Sequence, residues 1–279
     1  MNALEEKNLL TKRSAVAEVS DLRDPVLLSK KNQARLDPHV VLRTPQDDGY
    51  ILGFDVSNNT CSVAISKGQD IIAYQQDLRP NMQAENLLLL IEKALQFAHL
   101  DYEDIDYLAF TNGPGSFTGI RIGLAAAEGI LMASKIKPVV ISNFEMAYYR
   151  LLAQVKVFDK ALILLNAYRG QLYYQQFDGA GNKGDYGIID VDKVGELFKT
   201  HESEKIVCAG SGVTEIYPQI EDISTITILP RFPHIKAIHI CRNADDKIKK
   251  GEFGVVEPLY IRPPDAVPKV QLQIYCRNR

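Results

Sequence analysis

Ile105 to Lys135 reads IDYLAFTNGPGSFTGIRIGLAAAEGILMASK, and the rest of the chain is arranged around it. Ile105–Thr111 is short, apolar and aromatic, which suits a buried strand. Gly113–Gly119 is a glycine-rich turn, and Ile120–Lys135 is long enough for a helix. A strand feeding a glycine-rich loop that opens a helix is a common phosphate cradle, because free backbone N–H groups and the helix dipole converge there. The P-loop form is excluded. Five residues separate Gly113 from Gly119 and Ile120-Arg121 follow, so the phosphate-reaching lysine is missing. The dinucleotide fingerprint also fails on glycine spacing, and Pro114 sits in the first turn. The plain alternative is that the glycines only permit a tight strand-to-helix connection.

Apolar content of 46% and charged content of 24% over 279 residues suit a globular protein with room for two cores. A net charge of -3 argues against a surface that grips nucleic acid unaided. Cys61, Cys208, Cys241 and Cys276 form no CxxC pair, which favours reduced thiols in a cytosolic protein. No apolar run approaches spanning length and the acidic start is unlike a signal peptide, so a soluble cytoplasmic protein is expected, with no membrane partner.

Met1–Asp48 mixes charges with short apolar clusters and is broken by Pro25, Pro38 and Pro45; it reads as an appendage of low order, with a docking arm as the alternative. Tyr50–Val56, Cys61–Ser66 and Ile71–Leu78 then read as an antiparallel meander. Asp55 and Ser57 at its first turn either approach a phosphate together with Gly113, Gly115, Ser116, Thr118 and Gly119, or satisfy turn backbone groups. Further on, strands are expected at 139–141, 161–167, 171–177, 187–191 and 205–209, with helices at 143–154, 192–201 and 234–250.

Gln83–Leu100 is the clearest helix. Ala84, Leu87, Leu88, Ile91, Ala94, Leu95 and Ala98 follow one buried stripe, with Leu89, Leu90 and Phe97 beside it. The helix from Ile120 is apolar nearly all round, and Gly123 and Ala127, like Ala126 and Ile130, stand four apart, where another backbone can approach. Together these helices carry more apolar surface than one sheet buries. A partner interface is therefore expected through Leu89, Leu90, Phe97, Gly123, Ala127 and Ile130; cover by the second lobe or the N-terminal extension is the alternative.

GPGSFTGIRIG (113–123), FDVSNNTCSVAI (54–65), NAYRGQLYYQQF (166–177) and EPLYIRPPDA (257–266) give the core from about Tyr50 to Asp265 its resemblance to the bacterial TsaB (YeaZ) family of tRNA threonylcarbamoyladenosine biosynthesis proteins. The pattern departs from the family at Asn166, Gln171 and Gln83, where Asp, Glu and often His are usual. Each change removes an acid/base group.

The resemblance implies an α/β fold of the actin-like, Hsp70 and sugar-kinase (ASKHA) type, two lobes of mixed sheet flanked by helices. It divides the chain into an extension (1–48), an N-terminal lobe (49–155), a C-terminal lobe (156–265) and a tail (266–279). It also implies a non-catalytic partner of TsaD, the subunit that threonylcarbamoylates the adenosine next to the anticodon in tRNAs reading codons that begin with A. A TsaE-like ATPase joins, the N-lobe helices pair with TsaD or with a second copy, and tRNA is met only indirectly. No cofactor, metal or catalytic residue is implied. His234 and His239, five apart, do not share a helix face as a metal-binding pair requires, and His39, His99 and His201 are isolated. Two enzymatic alternatives remain: an ATP-binding phosphotransferase or ATPase using Asp55, Ser116 and Thr118, and, more weakly, a glycoprotease-like metallopeptidase.

Overall fold

The structure is a computed structural model that describes residues 48–57, 60–198, 204–220, 225–229 and 235–262, leaving aside the side chains of 218 and 219. The expected N-terminal appendage up to residue 47, the tail, His39, His201, His234 and Cys276 lie outside these residues.

Alternating apolar residues make β1 (Tyr50–Asp55), β2 (Cys61–Lys67) and β3 (Asp70–Asp77) an antiparallel meander. Helix α1 (Gln83–Ala98) returns the chain to β4 (Tyr107–Thr111), and α2 (Phe117–Ala133) returns it to β5 (Lys137–Ile141), both parallel to β1. The sheet order is β3-β2-β1-β4-β5. After α3 (Asn143–Leu152) the plan repeats. Strands β6 (Lys160–Asn166), β7 (Gln171–Asp178) and β8 (Lys183–Asp190) form a second meander. A 3-10 stretch (Val191–Phe198), β9 (Ile206–Ala209), α4 (Val213–Ile220), β10 (Ile226–Ile228) and α5 (Ala237–Lys250) follow. The second sheet, β8-β7-β6-β9-β10, has the topology of the first. This is the two-lobed mixed-sheet fold that the resemblance implies.

Several boundaries move for local reasons. Helix α2 begins at Phe117, three residues before the expected start, because the Ser116 side chain accepts from the Gly119 N–H at 3.2 Å and caps it. The region expected as a helix at 192–201 is a 3-10 stretch up to Phe198, and α4 and β10 carry too short a periodic pattern to have been read.

Four apolar clusters define the layers. Helices α1 and α2 cover one face of the first sheet, where Phe54 and Phe110 stack at 5.6 Å. Its other face is covered by Ala237, Ile240, Cys241 and Ala244 of α5, together with Met146 of α3. Phe144, Ala147, Tyr148 and Leu151 of α3 lie on the second sheet, whose far face is closed by the 3-10 stretch and α4. The last helix thus belongs to the first sheet. The 156–265 lobe read from sequence is amended at α5, whose N-terminal Ala237 N–H is held by the Ser62 hydroxyl of β2 at 3.0 Å. Beyond α5, residues 251–262 run as a strap. Its Phe253 carbonyl accepts from the Val140 N–H of β5 at 2.8 Å, and its Leu259 N–H donates to the Asn112 carbonyl at 2.9 Å.

Candidate functional site

The two halves of the candidate phosphate site do come together at the end of β1. Asp55 is buried at 1% exposure, and its Oδ1 accepts from the Ser57 hydroxyl at 2.6 Å and the Thr111 hydroxyl at 2.8 Å. The Ser116 N–H donates to the Ser57 carbonyl at 3.1 Å. Asn143 donates its backbone N–H to the Gly113 carbonyl at 2.7 Å and its side-chain amide to the Pro114 carbonyl at 2.8 Å. The loop is therefore fastened to β1 on one side and to α3 on the other. Asp55, Ser57 and Ser116 spend these groups on the loop's own architecture. Only Thr118 among the polar candidates stands exposed.

Close approach explains the glycines. A Cβ on Gly119 would stand 2.2 Å from the Val56 carbonyl oxygen, and one on Gly123 would meet the Val56 side chain at 2.8 Å. Gly113 has φ of 111°, in the left-handed half of the map that side chains avoid. The row of small residues read from sequence thus seats α2 on its own strand.

That observation corrects the interface as read from sequence. Leu90, Gly123 and Ala127 are buried within the lobe, and Ile130 is partly buried against its core. The side chains left outside are Leu88, Leu89 at 51% and Phe97 at 57% exposure on α1, and Met132 at 89% on α2. Exposed Ala125, Gly129 and Ala133 line the same side of α2, and a Cβ on Gly129 would meet nothing within 4 Å. An apolar face with its own small-residue row remains, turned roughly one residue from the expected one.

The described cysteines are not activated as nucleophiles. Burial pushes the Cys61 thiol up to about 12, with the Asp55 and Asp77 charges adding to it. Cys208 and Cys241 are also pushed to about 12 by burial. Among the described residues no group of three His, Cys, Asp or Glu is placed to hold a metal ion. His239 is buried in α5, while His99 ends α1 in a left-handed conformation. No described helix is long and apolar enough to cross a membrane.

Two of the departures have local tasks. Asn166 accepts from the Tyr168 N–H at 2.7 Å and shapes the β6–β7 turn. Gln171 donates to Asp190 at 2.9 Å and accepts from Arg262 at 2.7 Å. A glutamate at Gln171 would face Asp190 without a proton to donate.

A groove of about 880 Å³ is lined by Tyr148, Lys156, Lys183, Lys247 and Lys250 around Glu145. Glu145 closes a capping box with Ser142 at the start of α3, and its Oε1 lies 2.9 Å from Lys247 and 3.0 Å from Lys183. Burial alone opposes its ionisation, but the charge and hydrogen bond of Lys247, the Ser142 N–H and Lys183 outweigh it and hold the carboxyl at about 2 instead of 4.5. A depressed folded-state value stabilises the fold above about 4.5, and the gain is lost as pH falls toward about 2. Glu145→Gln is expected to cost on the order of 3 kcal/mol at pH 7. Urea titrations from pH 7 to 3 should show the mutant and the parent converging.

The family described as tRNA N6-adenosine threonylcarbamoyltransferase (TsaD) matches residues 81–230. The tRNA threonylcarbamoyladenosine biosynthesis protein TsaB of Buchnera aphidicola subsp. Schizaphis graminum is 32% identical over 172 residues, which cover 60% of this chain and 80% of that protein. For TsaB of Escherichia coli K12 the identity is 27% over 127 residues, and the chain spans only 54% of that relative's length. The solved structure of YeaZ from Pseudomonas aeruginosa shares the fold, with a TM-score of 0.60 at 20% identity over 76% of this chain and 99% of that one. With the two lobes, the closed loop at β1 and these likenesses together, the chain belongs to the TsaB (YeaZ) family.

Proposed function

We propose that this protein is a non-catalytic partner subunit of a TsaD-like transferase, in the assembly that forms threonylcarbamoyladenosine next to the anticodon of tRNAs reading codons that begin with A. The observation that carries the reading is the exposed apolar face of α1 and α2, with Leu88, Leu89, Phe97 and Met132 beside the small-residue row. Apolar side chains of this size on two packed helices gain when a partner removes them from water. Ala125, Gly129 and Ala133 let a facing helix come near enough for its backbone to pack. The family names of the relatives support a transferase subunit as occupant; a TsaE-like ATPase joins as a further component in this reading.

The arrangement at β1 supports a non-catalytic role. Asp55 lies under the loop, bonded to Ser57 and Thr111, where it is already occupied with holding the turn. By pairing with only one conformation of the transferase, such a subunit shifts its population toward that state.

Light scattering on the chain alone and mixed with its cognate transferase subunit tests the proposal. A one-to-one heterodimer is expected. A homodimer that excludes the transferase, or no association at tens of micromolar, overturns the partner reading. ATP turnover by the isolated chain, lost in Asp55→Ala, would instead establish a phosphotransferase or ATPase.

A further inference from the structure

The strap at 251–262 assembles a surface that none of its parts shows alone. Tyr260 lies 5.4 Å from Phe117 at the start of α2, ring centre to ring centre, and its hydroxyl accepts from Arg121 Nε at 3.1 Å. The Arg121 guanidinium rests 3.9 Å above the Phe117 ring. Two residues along, Arg262 donates to the Tyr168 carbonyl at 3.5 Å and to Gln171 Oε1 at 2.7 Å, in the β6–β7 turn. There Tyr168 and Arg169 both take left-handed backbone, φ 59° and 58°, and both side chains are exposed.

Three aromatic rings and three guanidinium groups thus form one band that crosses from the first lobe to the second. Phe117 and Tyr260 are about half exposed and Tyr168 is 64% exposed. Neither Arg121 nor Arg262 has a carboxylate partner among the described residues. Arg121 uses one of its donors, so the rest of its N–H edge is available. Consecutive left-handed residues that are not glycine cost about 1 kcal/mol each or more, and such conformations cluster at ligand-binding sites.

We propose that this band binds an unpaired stretch of RNA, with bases stacking on Tyr260 and Tyr168 and phosphates meeting Arg121, Arg169 and Arg262. Stacking faces interleaved with guanidinium groups are what single strands require: every base has a π-face, and every linkage carries a charge. A duplex, with its bases already stacked, offers the rings nothing. Arg121 stands one helical turn before exposed Ala125 on α2, so the band adjoins the proposed docking face and a docked transferase subunit would border the bound strand. RNA contact by this subunit itself goes beyond the partner reading, in which RNA is met only through the other subunit, and it replaces the expectation drawn from net charge.

Fluorescence anisotropy of a labelled ten-nucleotide RNA, titrated with the full chain at several salt concentrations, is the test. Binding that weakens with salt, with a log–log slope near about -2 for three phosphate contacts, is expected. Arg121→Gln with Arg262→Gln should lose about tenfold and flatten the slope. Tyr168→Leu, at an exposed turn where folding is not at stake, should lose about tenfold with the slope unchanged. Undetectable binding by the parent chain, equal binding of duplex RNA, or variants that bind like the parent would each overturn the inference. The transferase-docking variant Leu89→Asp with Phe97→Asp should bind RNA normally, which separates failure of this inference from failure of the partner reading.

Discussion

Leu89→Asp combined with Phe97→Asp is expected to abolish association with the transferase subunit while the chain stays folded. Both side chains are more than half exposed, so charging them removes little packing from the lobe, and a change in monomer stability within about 0.5 kcal/mol is expected for each. In a complex the same carboxylates would be buried against apolar surface without a partner. Interface anchors typically lose about 2 kcal/mol or more when truncated, and an unpaired charge is worse, so the pair should lower affinity by at least about a thousandfold. Isothermal titration reads the affinity and urea unfolding reads the fold. Leu90→Asp is the informative contrast. Its side chain is 7% exposed inside the cluster beneath α1 and α2, so it should unfold the lobe before any question of binding arises.

Along α2, one substitution is expected to act in opposite directions at two sites. Gly119→Ala places a methyl group 2.2 Å from the Val56 carbonyl oxygen, and the atom it meets is backbone. No rotamer relieves that contact. The helix must lift from β1 or the strand must bend, so a loss of about 3 kcal/mol or more in thermal or urea unfolding is expected. Gly129→Ala, with nothing within 4 Å of the new methyl group, should gain roughly 1 kcal/mol from helix propensity alone. If the small-residue row of α2 faces a partner helix, the same stabilised variant should associate more weakly.

The two substitutions also show what periodicity could and could not say. Strand and helix order in the first half was legible, because β1, β2 and α1 carry clean patterns of period two and 3.6. The choice among Leu87, Leu88, Leu89 and Leu90 was not. Four consecutive leucines span most of a helical turn, so several rotations of α1 bury three apolar positions out of any window. The neighbour decides: packing on β2 and β3, with α2 alongside, puts Leu87 and Leu90 inside and leaves Leu88 and Leu89 out. Gly123 and Ala127 misled for a related reason, since a small-residue row marks close approach of a backbone without naming which one. Here it is β1. The cluster of Phe117, Arg121 and Tyr260 was out of reach, because Arg121 and Tyr260 lie 139 residues apart and only the strap brings them together.

The position of α5 shapes the protein's synthesis as well as its architecture. One face of the first sheet, with Ile51, Ala64, Ala109, Val139 and Ile141, is finished by a helix that leaves the ribosome only after both sheets. Until Ala237–Lys250 emerges, a nascent chain carries that apolar face largely bare, although every strand of its own sheet is present. A chain stopped between the sheets, near residue 155, would leave it covered only by Met146 and Tyr149 of α3 and should aggregate. Completion of the amino-terminal lobe thereby becomes a report that translation has passed residue 250, so the proposed docking helices on that lobe are offered by molecules whose second sheet has already been made.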